Sequence, residues 1–372
     1  TAARGCAPPS PALASRSASL PKPSPAAEWT ARLALIVGSV LLTLVVLELG
    51  CRLAHGHYWL LHWPNPVLQE RVDYDLRGRY VRDPLLGYVP RPNFHSAEIN
   101  TDGLGHRVMP VLPADARDGP PVLATGDSFA YGLEAADAGT WPAQLQALVR
   151  RRTLNAAVAG YGLDQIVLRS EQQASLVRPA LIVASFIPDD LQRSELRRLW
   201  STGKPYFTLN GDGMLALHEA PTPQDMPIRQ RMFGWSMLAA TVLGELGVAA
   251  DWMTGSERAT PQGTAERLAC PLMRRLARLG VPILIVAQYE RVIWDPGNDA
   301  QRAQDRRLTA IVLGCAEAAG LASLDTFDVL DKAVRERSIG VLYGNAHHST
   351  EGNRVIAQAI AAELERREMT PQ

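Results

Sequence analysis

The sequence predicts a three-layer α/β/α sandwich built on a central, mostly parallel sheet, preceded by one membrane-spanning helix. Three observations carry this expectation. From Pro121 onward short apolar runs alternate with segments of helical period, the pattern of parallel strands joined by crossover helices. The runs end in glycine or polar residues, as strands do where they open onto a cleft. Leu33 to Gly50, LALIVGSVLLTLVVLELG, is apolar apart from Glu48, and a span of the bilayer core needs about 20 such residues.

Residues 1–28 are rich in Ala, Pro and Ser without apolar periodicity, which predicts a disordered tail. Residues 29–52 then read as a membrane anchor. A uniformly apolar helix in a soluble domain would need enclosure on every side, and no A-x-A-like cleavage site follows this one. LELGC has the outline of a lipoprotein site ending at Cys51, but Glu48 stands where that signal takes an aliphatic residue. Arg4, Arg16, Lys22 and Arg32 precede the span, and only Arg52 follows it before Arg71. That bias predicts a cytoplasmic N-terminus and places everything beyond residue 52 outside, in the periplasm or the extracellular space.

Residues 53–120 form a lead-in. From Asp83 it reads DPLLGYVPRPNFHSAEINTDGLGHRVMP, with turn signals and short apolar pieces, and is expected to pack beside the main domain. That domain spans 121–372. PVLATG (121–126), TLNAAVAG (153–160), ALIVASF (180–186), VPILIVAQ (281–288) and LASLDTF (321–327) read as strands, and TWPAQLQALVRRR (140–152) and DQIVLRSEQQASLV (164–177) as helices. Between about 192 and 262 the alternation stops. There YFTLNGDGMLAL reads as a hairpin turning at Asn210-Gly211-Asp212-Gly213, followed by the helical GWSMLAATVLGELGVAADWM. We read this as an insertion over one rim of the sheet, its helix packing on the domain.

Composition removes several classes of function. At 372 residues, 47% hydrophobic and 20% charged, the chain has globular composition, and its 38 basic residues are balanced by 38 acidic ones. No basic field is available for nucleic acid. The four cysteines show no metal-ligand spacing, so no metal is expected; a Cys270–Cys315 disulfide is left open. No internal repeat is present.

The apolar run before Ser128 ends in Gly126-Asp127-Ser128, at the head of a helix. Such a serine can be an N-cap or a nucleophile. Gly160 ends the next strand, Asp189 and Asp190 follow the third, and His347 and His348 precede the final helix. Strand ends of one sheet converge, so a hydroxyl, a bare backbone N–H, a polar side chain and an imidazole would face one cleft. These are the parts for acyl transfer, and they require no cofactor.

In GDSFAYG, AGYG, the DDL segment and HHSTEGN, in this order from about Pro121 to the end, the chain resembles the SGNH hydrolase superfamily, also called GDSL esterases, with its flavodoxin-like fold. The resemblance implies Ser128 as nucleophile and the N–H groups of Ser128 and Gly160 as the oxyanion hole. It also implies a histidine five positions before a glycine as base; counting back from Gly352 gives His347, with His348 as the fallback. The lead-in and anchor look like membrane-tethered members linked to envelope or exopolysaccharide acylation. Two positions depart from the pattern. Where the family's third oxyanion donor is an asparagine, this chain has Asp189, and an ionised carboxylate has no proton to donate. Where an acid should orient the histidine, two or three positions upstream, stand Gly344 and Asn345. Asn345 could hold the ring by hydrogen bonding without balancing its charge, and a backbone carbonyl or Asp325 are the other options, although Asp325 is expected to cap a helix. Asp127 is expected to accept backbone N–H groups, and Tyr131 and Tyr161 to stack on a sugar or simply to pack.

The expected activity is that of a membrane-anchored serine esterase or O-acyltransferase. It would work through an acyl-serine on an acyl ester, acetyl above all, of an envelope glycan. The alternative is a degenerate relative that binds a glycan or serves as an accessory protein, an idea motivated by Asp189 and Asn345.

Overall fold

The computed structural model describes residues 24–54, 78–200, 202–221, 236–246 and 256–371. Most of the tail expected over 1–28, part of the lead-in and much of the insertion helix lie outside the described residues. The chain divides into two units, residues 1–62 and 63–372.

Among its described residues the first unit holds one helix, α1 (Pro25–Ala54). Its stretch Glu28–Ala54 contains an 18-residue window of mean hydropathy 2.4, and is long and apolar enough to cross a membrane. Several polar side chains along it bond within the helix. Thr43 Oγ1 donates to the Ser39 carbonyl and Ser39 Oγ to that of Ile36, while Glu48 pairs with Arg52 at 2.7 Å. Internal satisfaction of this kind is what a hydrocarbon environment demands.

The second unit opens with a hairpin of β1 (Tyr80–Asp83) and β2 (Gly87–Pro90), paired antiparallel with Tyr80 opposite Pro90. The parallel core follows: β3 (Arg117–Thr125), a one-turn helix α2 (Ser128–Tyr131), α3 (Trp141–Val149), β4 (Arg151–Asn155), α4 (Leu163–Val177), β5 (Leu181–Phe186) and α5 (Pro188–Arg193). The helix expected to run to residue 152 stops at Val149, because Arg150 turns left-handed at φ 51° and β4 starts at once. The strand expected over 153–160 ends at Asn155. Beyond it the chain still follows β3, with Ala156 N–H donating to the Ala124 carbonyl and Val158 N–H to that of Gly126.

The insertion contributes β6 (Leu196–Leu199), β7 (Thr202–Gly203), β8 (Tyr206–Leu209), β9 (Leu215–His218), α6 (Met237–Glu245) and β10 (Glu257–Arg258). β8 and β9 form the expected hairpin, with Asn210 Oδ1 accepting the N–H groups of Asp212 and Met214 in its turn. The core resumes with α7 (Ala265–Ala277), β11 (Ile283–Ala287), α8 (Asp299–Ala318), β12 (Ala322–Asp325), α9 (Phe327–Arg337), α10 (Ile339–Leu342) and α11 (Thr350–Arg366). Cys270 and Cys315 are joined as a disulfide between α7 and α8.

The five central strands lie in the order β12-β11-β5-β3-β4, all parallel. Alternate residues feed two cores. Leu123, Ile182, Ala184, Ile283 and Ile285 face α4, α7 and α8, whereas Val122, Ala124, Val183, Leu284 and Val286 face α3, α9 and α11. This is the three-layer sandwich that the alternation predicts. Each fully buried Leu, Ile or Val in it contributes about 1.5–3 kcal/mol. Counted in chain order, the central strands run 2-1-3-4-5, so the sheet reverses direction beside β3, and ligands of such sheets sit at that switch point. Ser128 lies there.

Candidate active site

Asp127 ends the strand-to-helix turn, with its Oδ1 accepting the Phe129 N–H at 3.0 Å and capping α2. That cap puts Ser128 on the first position of the helix, where its own N–H has no partner within the helix. Gly160 occupies the matching place on the neighbouring strand. Val158 and Gly126 share the last rung, and Ser128 and Gly160 each lie two residues past it. Gly160 turns at φ 80°, which its lack of a Cβ permits. Among the described residues no acceptor takes the N–H of either Ser128 or Gly160.

His347 reaches this point from the loop before α11. Its Nε2 lies 2.9 Å from Ser128 Oγ and its Nδ1 3.1 Å from Glu134 Oε1. The tautomer follows from chemistry. A carboxylate can only accept, so Nδ1 carries the proton and Nε2 is left to accept the serine hydroxyl. Asp127 Oδ2, at 3.4 Å from the same hydroxyl, is the weaker partner.

Glu134 is the residue that the sequence patterns did not indicate. It follows Ser128 by six positions, and besides His347 it accepts the backbone N–H of Asn345 at 2.7 Å and of Ala346 at 3.1 Å. Partial burial works to raise its pKa, but the hydrogen bonds from His347 and Ala346 outweigh burial and leave the carboxyl below its ordinary value. Asn345 therefore does not orient the ring as expected; it contributes only its backbone N–H to the acid that does. Gly344 is explained by the same contact, since a Cβ there would come within 2.1 Å of Glu134 Oε2. Asp325 caps α9 through Phe327 N–H and accepts Tyr289 OH, both at 2.9 Å, so it is occupied elsewhere.

His348 is not a second base. Its ring is buried between Phe129 and Tyr343, neither nitrogen has a hydrogen-bond partner, and burial first, then His347, pushes its pKa down to about 3. Between that value and the ordinary 6.5, an unfolded chain binds a proton that the folded one refuses, so this group makes stability fall as pH drops below about 6.5. At pH 4.5 the loss through His348 should be about 2–3 kcal/mol. His348→Leu should lose that much less between pH 7 and 4.5 in urea titrations, and equal losses in both proteins would clear His348.

Asp189, at the position of the family's third oxyanion donor, is turned aside and does not join the oxyanion hole. Its carboxylate turns to Arg193, Oδ2 to Nη2 at 2.8 Å, and so offers no hydrogen to an oxyanion. Arg193 also binds buried Asp190 at 2.9 Å, and Asp190 Oδ2 accepts the Ile187 N–H. Burial and the nearby Asp127 push Asp190 well up against the pull of Arg193. Asp127 is likewise raised by burial, with Arg193 and His347 opposing. Burial alone would lower Arg193, but these three aspartates hold its pKa above the ordinary value, so one fixed cation offsets the acids beside the cleft. Glu290, following β11, is a further acid, pushed up to about 7 by burial and then by Asp189.

Tyr131 and Tyr161 pack rather than line a sugar site. Both rings are fully buried; Tyr161 OH donates to the Tyr88 carbonyl, and Arg107 sits 5.2 Å from the centre of the Tyr131 ring. Among the described residues no cluster of His, Cys, Asp and Glu is arranged to hold a metal ion.

No protein-family model and no curated protein sequence matches the chain. Among solved structures, LAE5, an α/β hydrolase from the metagenome of Lake Arreo, Spain, aligns at 15% identity over 66% of this chain and 95% of its own, with a TM-score of 0.42. The acetylxylan esterase Axe2 from Geobacillus stearothermophilus aligns at 14% over 66% and 94%, with a TM-score of 0.41. TesA aligns at 13% over 66% and 98%, with a TM-score of 0.39. Similarity of this order assigns neither a reaction nor a substrate to the chain, and its chemistry rests on its own side chains.

Proposed function

We propose that the chain is a membrane-anchored serine ester hydrolase or O-acyltransferase of the SGNH type, acting through an acyl-serine. The observation that carries the reading is the continuous hydrogen-bonded path from Ser128 Oγ through His347 to Glu134, at 2.9 and 3.1 Å. Nucleophile, base and orienting acid within hydrogen-bond reach of one another are the requirement for activating a serine.

His347 Nε2 takes the hydroxyl proton as Ser128 Oγ attacks the ester carbonyl carbon. The oxyanion is met by the N–H groups of Ser128 and Gly160. Collapse breaks the bond to the alcohol, which leaves with the proton from His347, and Ser128 carries the acyl group. Water or a sugar hydroxyl, deprotonated in turn by His347, then attacks the acyl-serine and restores the free enzyme. Glu134 stabilises the imidazolium that forms at each step. An acetyl ester of an envelope glycan is the substrate class that fits the sequence resemblance.

Helix α1 supplies the anchor, with the basic residues before it on the cytoplasmic side and the catalytic unit outside. The Cys270–Cys315 disulfide supports an oxidising compartment. The reading of a glycan binder without catalysis loses one of its two supports, because Glu134 does the work for which Asn345 is unsuited.

The test is covalent labelling of the full chain in detergent. A fluorophosphonate should form one adduct, on the peptide containing Ser128, and prior incubation with an activated acetate ester should slow it. Absence of any adduct on folded protein would refute the proposal. Acetyl transfer to an added oligosaccharide, measured against acetate release, separates transferase from esterase.

A further inference from the structure

We infer that Arg107, from the lead-in, is a positioning residue for the active site, holding the loop that aims Glu134 at His347. The inference rests on the serine-hydrolase reading above and assigns the lead-in a role beyond packing.

Arg107 is buried, and all five of its guanidinium N–H donors can be placed. Nη1 donates to the carbonyls of Tyr131 (2.6 Å) and Gly132 (2.9 Å), Nη2 to those of Ala135 (2.7 Å) and Glu98 (2.8 Å), and Nε to Asp137 Oδ1 (2.5 Å). Gly132 and Ala135 bracket Glu134. One rigid, planar group therefore closes the loop from both sides, leaving the Glu134 side chain to project from it toward His347. The grip is anchored at its other end. Arg107 N–H donates to the Asn155 carbonyl at the end of β4, and Asn155 Nδ2 donates to the Ala130 carbonyl of α2, so the same brace touches the nucleophile's helix. Asn100 strengthens it, donating to Asp137 from both its backbone N–H (3.1 Å) and its Nδ2 (2.7 Å).

A lysine at position 107 keeps the charge but has three donors on a flexible stem and cannot bracket the loop. Glu134 would then lose its aim while the sheet and both cores stay as they are. Misplacement of a supporting group by about 1 Å can cost on the order of 100-fold in rate.

The test uses the full chain in detergent. Arg107→Lys should lower kcat for an activated acetate ester by about 30–100-fold with KM changed less than about threefold. In a Glu134→Gln background the same change should have almost no further effect, since the group it positions is already disabled. A full additional drop in that background, or no drop in the parent, overturns the inference. Asp137→Asn is the milder variant should Arg107→Lys fold poorly, with the same pattern at smaller size.

A second readout does not depend on turnover. In protein labelled with ¹⁵N-histidine, the hydrogen-bonded His347 Nδ1–H should give a downfield proton resonance that broadens or moves upfield in both variants. Were the parent to hydrolyse nothing, the hydrolase reading would fail while this resonance still judged the brace. A resonance unchanged by Arg107→Lys would overturn the inference by itself.

Discussion

Ser128→Ala is expected to lower kcat for an activated acetate ester by on the order of 10⁵-fold or more. On the proposed mechanism the change removes the attacking atom and little else. Alanine suits the first turn of α2, Asp127 keeps its cap on the Phe129 N–H, and the serine hydroxyl makes one strong hydrogen bond, to His347 Nε2, which the variant cannot form. Its effect on stability should therefore stay within about 1 kcal/mol. His347→Ala should cost a similar factor, and the double variant little more than either alone, because nucleophile and base act as one unit. Initial rates at saturating ester, with unfolding midpoints for each variant, check this. A Ser128→Ala protein that keeps more than about a tenth of the parent rate would mean the nucleophile lies elsewhere.

The parts legible in the sequence are those governed by local pattern. β5, β11 and the second half of β3 announce themselves as short apolar runs because they are covered on both faces, and β12, at the sheet edge, is shorter and only half-buried. Ser128, Gly160 and His347 stand out because each sits at a punctuation mark where a run ends. The strand expected over 153–160 is overextended because AAVAG is apolar yet follows β3 through only two further hydrogen bonds, at Ala156 and Val158. Arg107 and Glu134 are illegible for another reason. Each acts through a contact between segments whose spacing no local rule connects, Arg107 across to residues 131–137 and Glu134 across 213 positions to His347. The sequence does hold one signal for Glu134. A glycine at 344, where the resemblance calls for an acid, marks space that another side chain fills, and that side chain is Glu134.

The same contact allows the orienting role to be tested between two residues. Glu134→Gln should lower kcat by about 10³–10⁴-fold, whereas Asn345→Ala should change it less than about threefold. Glutamine has nearly the shape of glutamate, so the drop isolates charge and acceptor count. Glu134 accepts three N–H groups, Asn345 on Oε2 and both Ala346 and His347 on Oε1. An amide in its place must turn its NH₂ toward one of these donors. If the NH₂ faces Asn345, a backbone N–H is orphaned and the loop shifts. If it faces His347, the ring is driven to the other tautomer, with Nε2 protonated and unable to take the hydroxyl proton. In both orientations the imidazolium of the transition state is deprived of the charge that balanced it. Asn345, by contrast, contributes a backbone N–H that alanine retains. Saturating kcat for the two variants decides the matter: a larger drop in Asn345→Ala than in Glu134→Gln would return the orienting role to the residue the sequence suggested.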